Sequence, residues 1–345
     1  MTPDLDADVR LDPRVRRVLA MFPDPVLGDV PDRETLLAEN NTPGAVRERQ
    51  AARAFMDMIF DTEDNAPSAG LTTTTADFLS DPDGNTITLQ VIRPDLPETT
   101  PCVYYIHGGG MAAMSCFDGI YRAWGRILAA YGVTVAMVDF RNCVIPSSAL
   151  EVAPFPAGLN DCVSGLRWVA THADDLGIDP SRIVVAGESG GGNLTLATGM
   201  ALLRAGDIEL IKGLYALCPY IAGQWPAPGC PSSVDNEGIM LRLHNNRGRM
   251  GYGIEAFEQR NPLAWPGFAN VADVAGLPQT VISVNECDPL RDEGIAFYRL
   301  LLAAGVPARC RQVMGTMHGT EIASVVCPEI SRDTARDLAA FAREP

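Results

Sequence analysis

The stretch that decides the fold reads Ile183-Val184-Val185-Ala186-Gly187-Glu188-Ser189-Gly190-Gly191, and a helix-forming run follows it from Asn193 to Ala205. A Gly-x-Ser-x-Gly pattern is a weak signal alone, because glycine and serine are common in turns. Between a buried strand and a helix, however, it is typical of a sharp turn that exposes a nucleophilic serine. The flanking glycines let the backbone reverse where a Cβ would clash. The alternative is a Gly-rich turn in which Ser189 has no chemical role.

Outward from this turn, apolar runs of strand length alternate with helical patterns. The predicted strands are Cys102–Ile106, Val133–Val138, Ile183–Ala186, Ile211–Leu217, Thr280–Val284 and Ala308–Val313, and the predicted helices are Leu159–Ala173, Asn193–Ala205, Ile295–Ala304 and Ser331–Arg343. The alternation indicates a mostly parallel central sheet with helices on both faces. Ligands of such sheets bind at the carboxyl ends of the strands, where the Gly-rich turns of this chain fall.

Two segments lie outside this alternation. Residues 1–65 are predicted to form an N-terminal helical arm that packs on the rest of the chain or covers a site. Its two helix faces consist of Val15, Val18, Leu19 and Phe22, and of Val46, Ala52, Phe55, Met56 and Ile59. A β-hairpin over Thr72–Leu79 and Asn85–Arg93 follows. Residues 66–345 form the predicted catalytic domain, in which residues 222–269, hereafter the insertion, lie over the active edge of the sheet.

Composition excludes several classes of function. The formal net charge of −16 would repel a phosphate backbone, so nucleic acid is not an expected partner. No stretch approaches the ~20 apolar residues of a membrane helix, and Met1 to Arg16 lack the apolar segment of a signal peptide. The nine cysteines are an odd number without metal-like spacing. We therefore expect a reduced, cytoplasmic, soluble protein that needs no metal or cofactor.

A serine hydroxyl needs a base within hydrogen-bond reach, and the chain has only four histidines. His107 lies in a glycine run, His172 at the end of a predicted helix and His244 among polar residues of the insertion, so a structural or surface position is favoured for each. His318 lies in the loop directly after the last predicted strand. Elimination and location therefore predict His318 as the base.

The base in turn needs a carboxylate that orients it. Asp288 directly follows the predicted strand Thr280–Val284. Asp292 and Glu293 already enter the next helix, where acids near the N-terminus have a structural role. The order Ser189, Asp288, His318 is the order of a nucleophile, acid and base in an α/β-hydrolase.

Acyl transfer also requires N–H donors for the oxyanion. His107-Gly108-Gly109-Gly110 offers backbone N–H groups without side chains in the way, and the Gly190 N–H follows the serine. Each such donor typically lowers the barrier by ~3 kcal/mol. A phosphate-binding loop is the alternative for a glycine run, but no Gly-Lys-Ser/Thr follows it.

Several of these motifs together resemble the hormone-sensitive-lipase-like group of α/β-hydrolase esterases. The matching pieces span roughly residues 100–320 and are His107–Gly110, Val138–Asn142, Pro154–Gly158, Gly187–Leu194, Asp288–Gly294 and His318-Gly319. The resemblance implies an α/β-hydrolase fold with a helical cap formed near the N-terminus. It also implies a catalytic triad of Ser189, Asp288 and His318 with oxyanion donors Gly108, Gly109 and Gly190. Met111, where many relatives have an aromatic residue, and the insertion depart from the pattern.

These observations predict a carboxylic-ester hydrolase that forms a serine acyl-enzyme on small short-chain, aryl or lactone esters. One alternative is a serine amidase or peptidase with the same triad. Another is a ligand-binding member of the fold that has lost catalysis, although the presence of His318 argues against it. A homodimer is one assembly that the resemblance implies.

Overall fold

The computed structural model describes residues 8–21 and 26–344. These residues fold around a single eight-stranded sheet. Its strands are β1 (Leu71–Leu79), β2 (Thr86–Pro94), β3 (Thr100–Ile106), β4 (Thr134–Val138), β5 (Ile178–Glu188), β6 (Gly213–Leu217), β7 (Gln279–Asn285) and β8 (Ala308–Val313). Their spatial order is β1-β2-β4-β3-β5-β6-β7-β8. The β1–β2 and β2–β4 pairs are antiparallel, and all others are parallel. The prediction of a mostly parallel sheet is confirmed.

Helices surround this sheet in the described residues. They are α1 (Pro13–Met21), α2 (Arg33–Asn40), α3 (Pro43–Phe60), α4 (Gly119–Ala129), α5 (Ala157–Thr171), α6 (Ala173–Leu176), α7 (Gly190–Ala205), α8 (Ser232–Asp235), α9 (Arg247–Tyr252), α10 (Ile254–Glu258), α11 (Val271–Val274), α12 (Arg291–Ala303) and α13 (Pro328–Arg343). Among them we find none whose length and apolar character would let it cross a bilayer.

The central strands are buried on both faces, which explains their continuous apolar sequences. Tyr104 of β3 packs in the core layer that includes side chains of α5, α7 and α12, whereas its neighbour Tyr105 packs in the opposite layer with α4 and α13. Successive side chains of a strand point to opposite faces, so a strand between two helical layers needs apolar residues at every position.

Helix α7, which follows Ser189, begins earlier than its sequence suggests. Helical propensity placed its start at Asn193, but α7 begins at Gly190. Glycine is a poor helix former. Close packing against β3 overrides that preference here, because a Cβ on Gly191 would lie 2.0 Å from the carbonyl oxygen of Ile106. The glycines that weaken the helix in isolation are therefore the residues that let it approach the sheet.

The N-terminal arm contains the two expected helices, α1 and α3. Val15 and Leu19 are buried on one face of α1, whereas Phe22, predicted for the same face, lies outside the described residues. The predicted β-hairpin is formed by β1 and β2, which pair antiparallel and are joined by a short turn. The division into an arm, a catalytic domain and an insertion stays a prediction.

Candidate functional site

The turn between β5 and α7 places Ser189 at the carboxyl edge of the sheet. Its backbone adopts φ 57° and ψ −118°, a conformation that costs a non-glycine residue on the order of 1–3 kcal/mol. Hydrogen bonds hold it there: the Ser189 N–H donates to Leu217 O at 2.9 Å, and Tyr220 N–H donates to Ser189 O at 3.0 Å. A Cβ on Gly187 would lie 2.5 Å from Ile106 O, so the turn requires glycine at that position.

His318 and Asp288 lie in loops that follow adjacent parallel strands, β8 and β7. His318 Nδ1 is 2.7 Å from Asp288 Oδ2, and Asp288 Oδ1 accepts the Leu290 N–H at 2.9 Å. Asp288 is fully buried, and His318 is only slightly exposed. Burial lowers the pKa of His318, but the charge and hydrogen bond of Asp288, together with Cys218, raise that pKa above its ordinary value. The buried pair can therefore stabilise an imidazolium.

Cys218 completes a small cluster with this pair. The Sγ of Cys218, a carboxylate oxygen of Asp288 and a ring nitrogen of His318 lie within 4.8 Å of one another. Burial raises the pKa of the Cys218 thiol to about 11, so it is neutral near pH 7. These three atom types could ligate a metal ion. The hydrogen bond between His318 and Asp288 explains the position of these two side chains without a metal ion.

The loop after β3 corrects one predicted oxyanion donor. The Gly108 N–H donates to Glu188 Oε1 at 2.8 Å and to Tyr121 Oη at 2.9 Å, so it is directed into the protein. Gly108 therefore anchors the loop instead of facing a substrate. The N–H groups of Gly109 and Gly110 have no acceptor among the described residues.

Gly110, like Gly109, keeps an N–H group that no described residue accepts. Gly109 and Gly110 both line the cavity described below, with φ values of 87° and 64°. A Cβ on Gly190 would lie 2.7 Å from Gly110 N, so the two glycines are in close approach. In a run of three identical glycines, no sequence signal distinguishes the one whose N–H is already bonded.

Glu188, the variable residue of the Gly-x-Ser-x-Gly pattern, is a buried carboxylate that the sequence did not single out. Besides the Gly108 N–H, it accepts the hydroxyls of Tyr105 and Tyr121, each at 2.6 Å. Burial raises the pKa of Glu188 to about 7, although these hydrogen bonds act in the opposite direction. Glu188 thus connects the turn carrying Ser189 to the glycine loop.

A cavity of about 610 Å³ opens above Ser189 and His318. Its walls are almost entirely apolar and come from α1, α3, α4, the loop before α4, the insertion and the segment around His318. The apolar side chains are Val18, Leu19, Met21, Met56, Ile59, Phe60, Met114, Ile120, Met240, Leu241, Leu243, Met317, Ile322, Ala323, Val325 and Val326. The arm and the insertion therefore cover the carboxyl edge of the sheet.

The other three histidines lie away from this cavity. His107 is fully buried and stacks on Phe140 with ring centroids 4.3 Å apart, and burial lowers its pKa. His172 follows the last residue of α5, as predicted. His244 binds the Ser233 carbonyl oxygen through Nε2 at 2.8 Å. His244 is exposed, as expected from its polar neighbours.

Asp292 and Glu293 connect α12 to the insertion. Asp292 Oδ2 accepts the Ser232 N–H at 2.7 Å. Glu293 is buried and accepts the N–H groups of Ile221 and Ala222 and the indole N–H of Trp225. Neither acid bonds to His318, and α12 begins at Arg291, so both lie in its first turn as expected.

Comparisons with known proteins agree on one family. A family model described as the alpha/beta hydrolase fold matches residues 103–322. Carboxylesterase NlhH of Mycobacterium tuberculosis is 32% identical over 267 residues, which cover 72% of this chain and 76% of that protein. A structure of esterase Est22 with p-nitrophenol is 59% identical, covers 99% of this chain and 100% of that chain, and has a TM-score of 0.96. Brefeldin A esterase, a bacterial homologue of human hormone-sensitive lipase, is 35% identical, covers 99% of this chain and 98% of that chain, and has a TM-score of 0.84.

Proposed function

Because this chain belongs to the α/β-hydrolase family, among the relatives of hormone-sensitive lipase, we propose that it hydrolyses carboxylic esters through Ser189, His318 and Asp288. Ester hydrolysis is the activity named for NlhH, Est22 and brefeldin A esterase alike. The observation that carries the assignment of residues is the 2.7 Å contact between His318 Nδ1 and Asp288 Oδ2, at the wall of a cavity that Ser189 also lines.

In the proposed reaction, Ser189 Oγ attacks the ester carbonyl carbon while His318 accepts its proton. The oxyanion of the tetrahedral intermediate accepts hydrogen bonds from the N–H groups of Gly109, Gly110 and Gly190. Collapse of the intermediate breaks the bond to the alcohol oxygen, and His318 returns the proton to that oxygen. Water, deprotonated by His318, then attacks the acyl-enzyme and releases the acid. Asp288 keeps the imidazole in the required tautomer and stabilises the imidazolium.

The cavity favours uncharged esters with an apolar acyl or aryl part. Contact with its apolar walls stabilises a bound substrate by about 25 cal/mol for each Å² of apolar substrate surface that is removed from water. No lysine or arginine is among the described residues that line it, and the one acidic side chain there is Glu188. An ester with a free carboxylate has no counter-ion in this cavity. Short-chain, aryl and lactone esters all fit this description.

Two rival functions have distinct outcomes in one set of measurements. An amidase or peptidase would cleave an anilide at a readily measurable rate, whereas an esterase would cleave only the matched p-nitrophenyl ester. A ligand-binding protein without catalysis would leave both intact and would not react with a fluorophosphonate.

The deciding variant is Ser189→Ala. We expect it to lose nearly all hydrolysis of p-nitrophenyl acetate and butyrate while its thermal transition stays close to that of the parent, because the hydroxyl supplies chemistry instead of core volume. Hydrolysis above about a tenth of the parent rate would contradict the assignment of Ser189.

The cellular setting and assembly also belong to the proposal. All nine cysteines are free, which supports a reducing compartment such as the cytoplasm. The proposed partner is a small ester, with a homodimer as the proposed assembly. Fractionation of the source cells and light scattering of the purified protein test the two statements.

A further inference from the structure

Asn236, a residue of the insertion, contacts the loop that carries Asp288. It follows α8, and its side chain is fully buried. Its amide nitrogen donates to Glu286 O at 3.2 Å and to Asp288 O at 3.1 Å. Both carbonyl groups belong to residues 286–290, hereafter the acid loop. The insertion thus contributes hydrogen bonds to the backbone of the proposed catalytic acid.

Arg10 of the N-terminal arm determines how this amide is oriented. Its Nη1 donates to Asn236 Oδ1 at 2.9 Å, while its Nε and Nη2 donate to the carboxylate of Asp8. A guanidinium can only donate hydrogen bonds. The atom of Asn236 that faces Arg10 must therefore be the oxygen, and the nitrogen must face the two carbonyl groups of the acid loop.

A second contact from the insertion holds the same loop. Ser232 Oγ donates to Pro289 O at 3.1 Å and accepts the Asp292 N–H at 3.0 Å, and Asp292 Oδ2 accepts the Ser232 N–H. Buried carbonyl groups require such partners, because an unpaired one costs about as much as a lost hydrogen bond. In the acid loop, the insertion supplies the side-chain partner of Pro289 O and a further partner each for Glu286 O and Asp288 O, which also accept from Arg291.

The arm contacts the loop of the proposed base as well. The Asp12 N–H donates to Gly315 O at 2.9 Å, three residues before His318. An apolar cluster lies between the two loops and joins the arm, the insertion, the acid loop and the histidine loop. Its buried members are Leu11, Val15, Leu19, Ile239, Cys287, Met317, Val326 and Cys327. The arm and the insertion therefore pack against both loops.

From these contacts we propose that Asn236 is a positioning residue, which holds the acid loop where Asp288 Oδ2 meets His318 Nδ1, and that Arg10 keeps its amide in the working orientation. The inference rests on the proposed function. Catalytic geometry is sensitive at this scale, since a displacement of about 1 Å can lower a rate by about 100-fold. The insertion and the arm thus serve the acid–base pair in addition to covering the cavity.

Asn236→Leu is the sharpest test, because it keeps the approximate size of the side chain, removes the donor to the acid loop and adds no charge near His318. We expect kcat for p-nitrophenyl butyrate to fall about 10- to 100-fold, with KM changed less than about threefold. The acid limb of the pH profile should move to lower pH, since a displaced Asp288 raises the pKa of His318 less. The other titratable groups near His318 are Cys218 and Glu321, and this variant leaves both unchanged.

Asn246→Ala is the matched control. Asn246 also belongs to the insertion and exchanges two hydrogen bonds of 2.8 Å with the backbone of Val30 in the arm, but it contacts neither the acid loop nor the histidine loop. Its loss should lower the melting temperature while kcat and the acid limb stay at their parent values.

Arg10→Gln keeps the test decisive if the Asn236 variants do not fold. Arg10 is about a third exposed, and its replacement should lower kcat by a smaller factor and move the acid limb in the same direction. The proposal is overturned if Asn236→Leu, or Arg10→Gln in its place, lowers only the melting temperature, as Asn246→Ala does. Parent enzyme and Ser189→Ala are measured alongside. An inactive parent, or an active Ser189→Ala, would instead contradict the proposed function.

Discussion

Asp288 and Asp292, four residues apart, point in different directions: Asp288 Oδ2 lies 2.7 Å from His318 Nδ1, whereas Asp292 Oδ2 accepts the backbone N–H of Ser232. The first carboxylate therefore meets the candidate base at the sheet edge. The second joins the first turn of α12 to the insertion. The two acids offer a matched pair for separating chemistry from stability.

We expect Asp288→Asn to lower kcat by on the order of 10⁴, because an amide favours the wrong tautomer of His318, with little loss of stability. Asp292→Asn should keep most turnover and lose up to ~1 kcal/mol of stability, since it weakens hydrogen bonds at the start of a helix. Ester hydrolysis and thermal melts of both variants check this. A large rate loss confined to Asp292→Asn would show that the acid has been misassigned.

The pH dependence of kcat/KM should report His318. The base must be neutral to accept the serine proton, and Asp288 raises its pKa above the ordinary value of 6.5. Activity is therefore present above the raised pKa and is lost as pH falls through it, so the decline begins above pH 6.5. A profile measured from about pH 5 to 9, with circular dichroism as the check on folding, tests this. A flat profile down to about pH 5 would exclude a histidine base.

Replacement of Glu188 by glutamine should impair the oxyanion site without unfolding the protein. The carboxylate accepts the Gly108 N–H at 2.8 Å, next to the proposed donor Gly109. Both carboxylate oxygens of Glu188 accept hydrogen bonds, whereas an amide accepts only through its oxygen. Glutamine therefore cannot keep the hydrogen bonds from Gly108, Tyr105 and Tyr121 together. We expect kcat to fall about 10- to 100-fold with a smaller change in KM.

Tyr105→Phe is the control for that variant. It removes one hydrogen bond to Glu188 and leaves the one from Gly108 in place. Its main effect should be a stability loss of about 1–2 kcal/mol. Equal kcat values for parent and Glu188→Gln would contradict the role given to Glu188.

Glu293 should make the protein less stable as pH rises. Burial raises its pKa to about 8 from 4.5, against hydrogen bonds from Ile221, Trp225 and Ala222. Between these two values the native state binds more protons than the unfolded state, so the free energy of unfolding decreases with increasing pH. Glu293→Gln removes this titration, and the melting temperature should depend less on pH across that window.

Thermal melts from about pH 5 to 8 measure the effect, with Glu258→Gln as the control because Glu258 is exposed on α10. The control should keep the slope of the parent. An unchanged slope in Glu293→Gln would mean that this carboxyl does not titrate in the window.

The sheet was predictable because burial on both faces leaves a continuous apolar run for each parallel strand. The loops after β5, β7 and β8 were predictable for a related reason, since chemical side chains collect where parallel strands end. The start of α7 was not predictable, because glycine has a low helical propensity. The glycines stand there because a larger residue would clash with Ile106.

By itself, the sequence determined the sheet, the turn at Ser189 and the short set of residues that could act as acid and base, because these depend on local periodicity and on the order of elements along the chain. Only the tertiary structure decided that Gly108 bonds to Glu188 and leaves Gly110 facing the cavity, and that Asn236 reaches the acid loop. Those outcomes depend on which hydrogen-bonding groups meet across distant segments. The local sequence does not distinguish three identical glycines from one another. It also does not show that an asparagine will contact an acid 52 residues away.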